Sequence, residues 1–327
     1  MTQPPTVSAG RPTGHRGGAD VSGFDPPGPR GPQPCRTPSF TAFALILILP
    51  VWSNSMNSTA RHRQGSGTGE VALRVPGIVA AFWIAKGLST ALGEGASDYL
   101  VQAMVPQIAV VLGFLAFVAA LALQFRMRRY RAWTYWLAVA MVGIFGTMAA
   151  DVMHVALGVP YTASSLLYAL LLAGVFWLWR RTEGTLSIHS IDTPRREAFY
   201  WATVVATFAM GTALGDFTAF TLHLGYFASA GIFAALILVP ALGHRLLGWN
   251  PVFCFWAAYV ITRPLGASLA DGFAKPHSSG GLGFGDAPVV LGLTALIVGV
   301  VAYLAVTRID VQPAERPAPL PQPEHAR

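Results

Sequence analysis

The stretch FYWATVVATFAMGTALGD, residues 199–216, is a helix-length apolar run that closes on an aspartate. A carboxylate at the end of such a run is expensive beside lipid, so its presence needs a reason. The chain repeats the arrangement. FWIAKGLSTALGEGASD ends at Asp98, YWLAVAMVGIFGTMAAD at Asp151 and FWAAYVITRPLGASLAD at Asp271, alongside the copy that ends at Asp216. Each copy opens on an aromatic pair: Phe82 and Trp83, Tyr135 and Trp136, Tyr200 and Trp201, Phe255 and Trp256. Glycine follows each tryptophan at +10 (Gly93, Gly146, Gly211, Gly266), a small residue at +14 (Ser97, Ala150, Gly215, Ala270) and aspartate at +15. Four copies in one register are an internal repeat, and the repeat sets the fold.

The composition supplies the solvent. Of 327 residues, 53% are hydrophobic and only 11% charged, against about 25% charged in a soluble domain. The expected class is an all-α integral membrane protein. The net charge of +7 does not call for nucleic acid, because the Lys and Arg sit between apolar runs and in the tails, where they act as topology signals. Two cysteines, Cys35 and Cys254, build neither a disulfide framework nor a CxxC site. Residues 1–70 are rich in Pro, Gly and Arg at the start and are expected to be a disordered extension. Within them, FTAFALILILPVW (residues 40–52) is too short to cross a bilayer that needs about 20 residues, and a translation start at Met56 is one reading of the whole leader. The Pro-rich stretch 309–327 is expected to be a disordered tail.

The intervening 75–308 divides into eight apolar spans forming four two-span repeats, about 76–125, 132–179, 197–245 and 251–307. Odd spans carry the signature, and even spans such as IAVVLGFLAFVAALALQF are plain lipid-compatible helices. Arg126, Arg128, Arg129 and Arg131 follow the second span, Arg180, Arg181, Arg195 and Arg196 the fourth, and Arg245 the sixth, with Lys275 standing alone at the other ends. The positive-inside rule then predicts that both termini are cytoplasmic. Hairpins that all enter in one direction are parallel repeats, related by pseudo-symmetry about the membrane normal. The +10 and +14 small residues predict close helix packing, with odd helices central and even helices outside.

The Trp–Gly–Asp pattern from Phe82 to Asp271 resembles a bacterial family labelled uncharacterised membrane-anchored protein, built from four copies of a two-span repeat of unknown function. The resemblance implies the fold and a place in the bacterial inner membrane, and no activity.

The candidate site is the aspartate set. Aromatic residues at one membrane interface and acids in water at the other would explain the Trp and Asp separately, about 22 Å apart at 1.5 Å per residue. Yet acids near a helix C-terminus oppose the macrodipole, and a solubilising position would not keep one residue type in one phase. Asp98, Asp151, Asp216 and Asp271 converging on an axis would repel unless a cation neutralised them, as in acidic rings that admit cations. Glu94 shares a face with Asp98 at i, i+4, and His154 and His223 follow Asp151 and Asp216. Carboxylates with one or two imidazoles suit Mn²⁺ better than a soft metal, so Asp98, Asp151, Asp216, Asp271, Glu94 and His154 are the candidate metal ligands. Two intramembrane cations break the symmetry. Lys86 lies two turns from Glu94, and Arg263 two turns from Asp271 and just before Pro264, which should interrupt its helix; both are candidates for gating or charge pairing.

No HExxH, GxSxG, P-loop or CxxCH motif is present, so no enzyme activity and no bound cofactor is expected. GGLGFGD, residues 280–286, has no preceding strand and is expected to be a loop. The expected function is secondary transport or export of a divalent cation, Mn²⁺ favoured, through the aspartates. The alternatives are a proton-coupled transporter of a small solute, in which Arg263 and Lys86 bind substrate, and a non-transporting scaffold or sensor. Expected partners are the bilayer and the transported cation or solute, with a homo-oligomer left open.

Overall fold

The computed structural model describes residues 73–312. The N-terminal extension, the 40–52 segment, Met56 and the chain beyond 312 lie outside the described residues. Among the described residues, eight long α-helices follow one another: α1 (Ala80–Ala103), α2 (Pro106–Arg126), α3 (Ala132–Asp151), α4 (Tyr161–Glu183), α5 (Pro194–Asp216), α6 (Gly225–Leu247), α7 (Pro251–Ala274) and α8 (Asp286–Thr307). No strand occurs among the described residues. Seven of the helices, α2 to α8, are long and apolar enough to cross a membrane. The 24 residues of α1 would also reach across, but Lys86, Glu94 and Asp98, set among Gly, Ser and Thr, dilute its apolarity.

Local chemistry sets the helix ends. Proline opens α2, α5 and α7 at the first turn, where its missing N–H costs no intrahelical bond. Thr193 caps α5, and the Asn250 side chain accepts from the amides of Val252 and Phe253 at the start of α7. α4 and α6 stop at Gly184 and Gly248, whose φ of 72° and 66° lie in the left-handed region that glycine enters freely. Sequence 280–286 is no slack connection: Leu282, Gly283, Phe284 and Gly285 donate backbone hydrogen bonds to Gly272, Lys275, Phe273 and Ala274 and tie the loop to the end of α7.

The repeat-bearing helices are central. α1, α3, α5 and α7 pack in a closed ring, α1 on α3, α3 on α5, α5 on α7 and α7 back on α1. The even helices lie outside. α2 buries only Ala109, Ala120 and Gln124, and Leu115, Leu166, Leu170, Leu291 and Val306 stand more than half exposed on α2, α4 and α8. Apolar surface of that extent is a lipid-facing surface and not that of a soluble monomer. Each outer helix packs chiefly on the inner helix of the next repeat: α2 on α3, α4 on α5, α6 on α7, and α8 on α1. No repeat buries its faces alone, so the four stand or fall together.

The invariant glycine explains how the ring closes so tightly. A Cβ at Gly93 would lie 2.9 Å from the Gly143 backbone; at Gly146, 2.9 Å from Phe208 Cβ; at Gly211, 2.2 Å from Arg263 Cγ; at Gly266, 2.0 Å from Thr90 Oγ1. In every case the +10 glycine of one repeat receives the +7 residue of the next, and the fourth receives the first. Lipid supplies little hydrophobic drive between helices, so such close packing and buried hydrogen bonds must hold them.

Candidate functional site

Residues four apart lie nearly one above another on a helix. The rows at +3, +7, +11 and +15 from each tryptophan therefore form successive layers along the ring's inner face. The first layer beyond the tryptophans holds Lys86, Val139, Val204 and Tyr259; the next Thr90, Gly143, Phe208 and Arg263; then Glu94, Thr147, Thr212 and Ala267; then the four aspartates.

The middle of this column is an ion pair. Arg263, with no exposed surface, places Nη2 2.9 Å from Glu94 Oε2, and Glu94 is itself buried. The same nitrogen donates to Thr212 Oγ1 at 2.8 Å and to Thr147 Oγ1, while Nη1 donates to the Thr90 carbonyl at 2.8 Å. Glu94 also accepts from Thr212 at 3.2 Å and Thr147 at 3.4 Å. All four inner helices thus contribute at least one group to a single desolvated cluster. Sequence spacing had paired Arg263 with Asp271, eight residues along its own helix. The guanidinium instead reaches across the ring to Glu94, because the Gly211 gap on α5 admits its stem and the axis offers the nearest carboxylate. Pro264 does not interrupt α7, which runs through it to Ala274.

Lys86 is placed differently from its expected partner Glu94. Its Nζ is buried without a hydrogen-bond partner among the described residues and lies over the rings of Tyr259 and Phe208, 4.1 and 4.3 Å from their centroids. Phe208 also faces the Arg263 guanidinium at 4.7 Å. Cation–π contact is the main attraction available to that ammonium.

Below Lys86 the aromatic pairs form a plug and not an interfacial belt. All eight of these rings are at most 5% exposed and meet ring to ring, Phe82 with Trp136 and Phe255, Tyr135 with Trp201, and Tyr200 with Trp256. Tyr135 and Tyr200 share a hydrogen bond between hydroxyls. Over this end lies the strap preceding α1: Arg74 donates to Glu197 at 2.6 Å, Gln124 donates to the same carboxylate at 3.0 Å, and Gly77 and Pro76 are held by Asp310 and Gln312.

At the opposite end the aspartates are treated unequally. Asp98 takes an ion pair from Lys275, which also lies 3.5 Å from Asp286. Asp271 is buried and Asp151 and Asp216 are half-buried, all three without a side-chain hydrogen bond or ion pair among the described residues. After Asp151 and Asp216, and in those repeats alone, the helix widens into a π turn, Val152–Ala156 and Phe217–Thr221, a distortion frequent at functional sites. His154 turns from the axis, with Nδ1 2.9 Å from the Val159 carbonyl and its ring stacked on Tyr161 at 3.6 Å. His223 is exposed in a left-handed turn at φ 53°. Among the described residues no three His, Cys, Asp or Glu side chains gather as a metal-binding group.

Sequence reading overlooked Thr90, Thr147, Thr212, Phe208 and Tyr259. Their signal was the i, i+4 row running back from each aspartate, which is polar or aromatic at unusual density for a lipid-embedded helix.

Neither a curated protein nor a solved structure matches the chain. A family model described as Repeat of Unknown Function (DUF347) matches four times, over residues 81–130, 134–185, 199–246 and 254–310. Those matches coincide with the four helix pairs, α1 with α2 through α7 with α8, and the chain belongs to the DUF347 repeat family.

Proposed function

We propose that the protein is a proton-coupled secondary transporter of a small solute, with eight spans in four parallel repeats around an axis normal to the membrane. The cyclic seating of each +10 glycine on the next repeat's +7 residue supports the arrangement, and the place of α1 in the inner ring supports its counting as a span. The observation that carries the function is the Arg263–Glu94 pair, enclosed by Thr90, Thr147 and Thr212 at the meeting of all four inner helices. A buried ion pair is a poor device for stability, since desolvation offsets much of its attraction; ionisable groups in membrane helices mark solute and proton paths. In this reading Arg263 and Lys86 meet the anionic or polar part of the solute. Glu94 and the unpartnered Asp151, Asp216 and Asp271 carry protons, and the aromatic plug closes the arginine-rich, cytoplasmic end. The proton reading is preferred to Mn²⁺ cargo because Lys275 already neutralises Asp98, His154 is engaged with Val159, and no three-ligand group is assembled among the described residues.

The test uses the full chain in proteoliposomes loaded with a pH-sensitive dye. Under an imposed potential, a panel of amino acids and small carboxylates is added, with MnCl₂ as a separate arm. At least one solute should drive proton entry that is lost in Asp151→Asn with Asp216→Asn and in Glu94→Gln. If no solute moves protons and Mn²⁺ enters instead, the metal reading replaces this one.

A further inference from the structure

We propose that the cleft at the α2–α3 turn is a binding site for the headgroup phosphate of an anionic phospholipid. The inference is independent of what the axis transports. The cleft, about 830 Å³, opens between that turn, the start of α3 and the end of α8. Five arginines line it, Arg126, Arg128, Arg129, Arg131 and Arg308. A single carboxylate, Asp310, lines it too, but that side chain is 1% exposed and is bonded to the Tyr130 hydroxyl. The cleft therefore presents an excess of positive charge.

The repeats themselves provide the control against the ordinary explanation, that arginines gather at this end merely to orient the chain. At the α4–α5 turn three of the four arginines have internal ion-pair or hydrogen-bond partners: Arg195 and Arg196 each lie 3.0 Å from Glu183, Arg196 also pairs with Asp192 at 3.1 Å, and Arg180 donates to the Gly184 carbonyl, while Arg181 lies over the Trp177 ring at 5.8 Å. At the α6–α7 turn Arg245 stands alone. The five arginines of the cleft form no ion pair among the described residues. Topology would be satisfied by paired or scattered charges; unpaired guanidiniums around a concavity suit a phosphate, which they grip through two parallel N–H bonds.

The surroundings select a lipid over a soluble phosphate. Trp133 stands at the rim, 49% exposed, with Leu137 one turn further along α3 and Tyr303 on α8 also exposed. Amphipathic aromatics of this kind sit at headgroup level, and the apolar surface leading away from the rim offers a track for acyl chains. Basic pockets between membrane helices at the cytoplasmic side take anionic headgroups in this manner.

The experiment uses the delipidated full chain in neutral detergent, offered equal amounts of dioleoylphosphatidylglycerol and dioleoylphosphatidylcholine, with bound lipid counted by native mass spectrometry. The wild type should retain the phosphatidylglycerol selectively. Arg128→Gln with Arg129→Gln should weaken that retention roughly thirtyfold, about fivefold per guanidinium. Arg181→Gln with Arg195→Gln, the same charge change at the α4–α5 turn, should leave it unaltered. Equal loss in both pairs, or no preference in the wild type, overturns the proposal. A second measurement needs no variant: the phosphatidylglycerol should raise the melting temperature of the wild type, whereas sn-glycerol 3-phosphate at the same concentration should not. Equal stabilisation by the soluble ester overturns the lipid assignment in favour of a soluble anion.

Discussion

Replacing Glu94 by glutamine tests the centre of the molecule. The substitution keeps the side chain's length and one acceptor oxygen, so Arg263 can retain its bonds to Thr90, Thr147 and Thr212 and a neutral one to residue 94. What disappears is the opposite charge 2.9 Å from Nη2. Unit charges about 4 Å apart at an effective dielectric of about 20 attract by about 4 kcal/mol, and breaking a buried pair from one side costs about 3–5 kcal/mol. A neutral hydrogen bond between membrane helices is worth only about 0.6 kcal/mol on average. Charge is therefore the larger effect, and Glu94→Gln should lose about 3–4 kcal/mol where Thr212→Val loses about 1 kcal/mol or less. Arg263→Met should cost less than Glu94→Gln, because an abandoned carboxyl can take up a proton whereas an abandoned guanidinium cannot shed one. The assay is unfolding by SDS in mixed micelles, completed as a double-mutant cycle. The double variant should recover at least about 1 kcal/mol relative to the sum of the singles. If Glu94→Gln costs under about 1 kcal/mol and the cycle is additive, the two side chains are not paired.

Three other outcomes follow from the same geometry. Gly211→Ala would put a methyl 2.2 Å from Arg263 Cγ, and overpacking there should cost about 1–3 kcal/mol; Gly231→Ala, with nothing within 4 Å, should be neutral or stabilising by up to about 1 kcal/mol. A thermal-shift comparison showing equal effects would refute the glycine seating. Outside the helices, burial lowers the pKa of Lys275, but Asp98, Asp271 and Asp286 raise it further, to a net value above its ordinary 10.5. A lysine raised on folding stabilises fully below its unfolded pKa and ceases to do so as pH climbs through the folded value. The melting gap between wild type and Lys275→Met, on the order of 1 kcal/mol, should therefore stay flat between about pH 7 and 9 and close only above 10.5; a gap that shrinks through neutrality would contradict the ion pair. Finally, if α1 crosses the membrane, cysteine labels placed before Leu73 and after Arg128 should react from the same side, and one at Ser279 from the opposite side. Labels at Leu73 and Arg128 on opposite sides would leave α1 buried without spanning.

The sequence by itself determined that four copies of one unit exist, that their aromatic–glycine–aspartate helices differ in kind from the apolar helices between them, and that the former belong inside. Those facts are periodic, and a one-dimensional pattern records periods. It also held, unread, the row of side chains four residues apart that lines the axis. Only the tertiary structure decided the partners. Arg263 was equally compatible with Asp271 on its own helix, and Lys86 with Glu94, because spacing along a helix says which groups share a face and not which face meets them. The +10 glycine could be read as small, but that it receives the next repeat's +7 residue, whether glycine, phenylalanine, arginine or threonine, depends on how the ring closes. So does the choice of each outer helix for its neighbour's inner helix over its own. Pairing across helices is fixed by close packing in lipid, where a helix gains nothing from merely being apolar and is held only by the backbone approach and the buried polar contacts its neighbours allow.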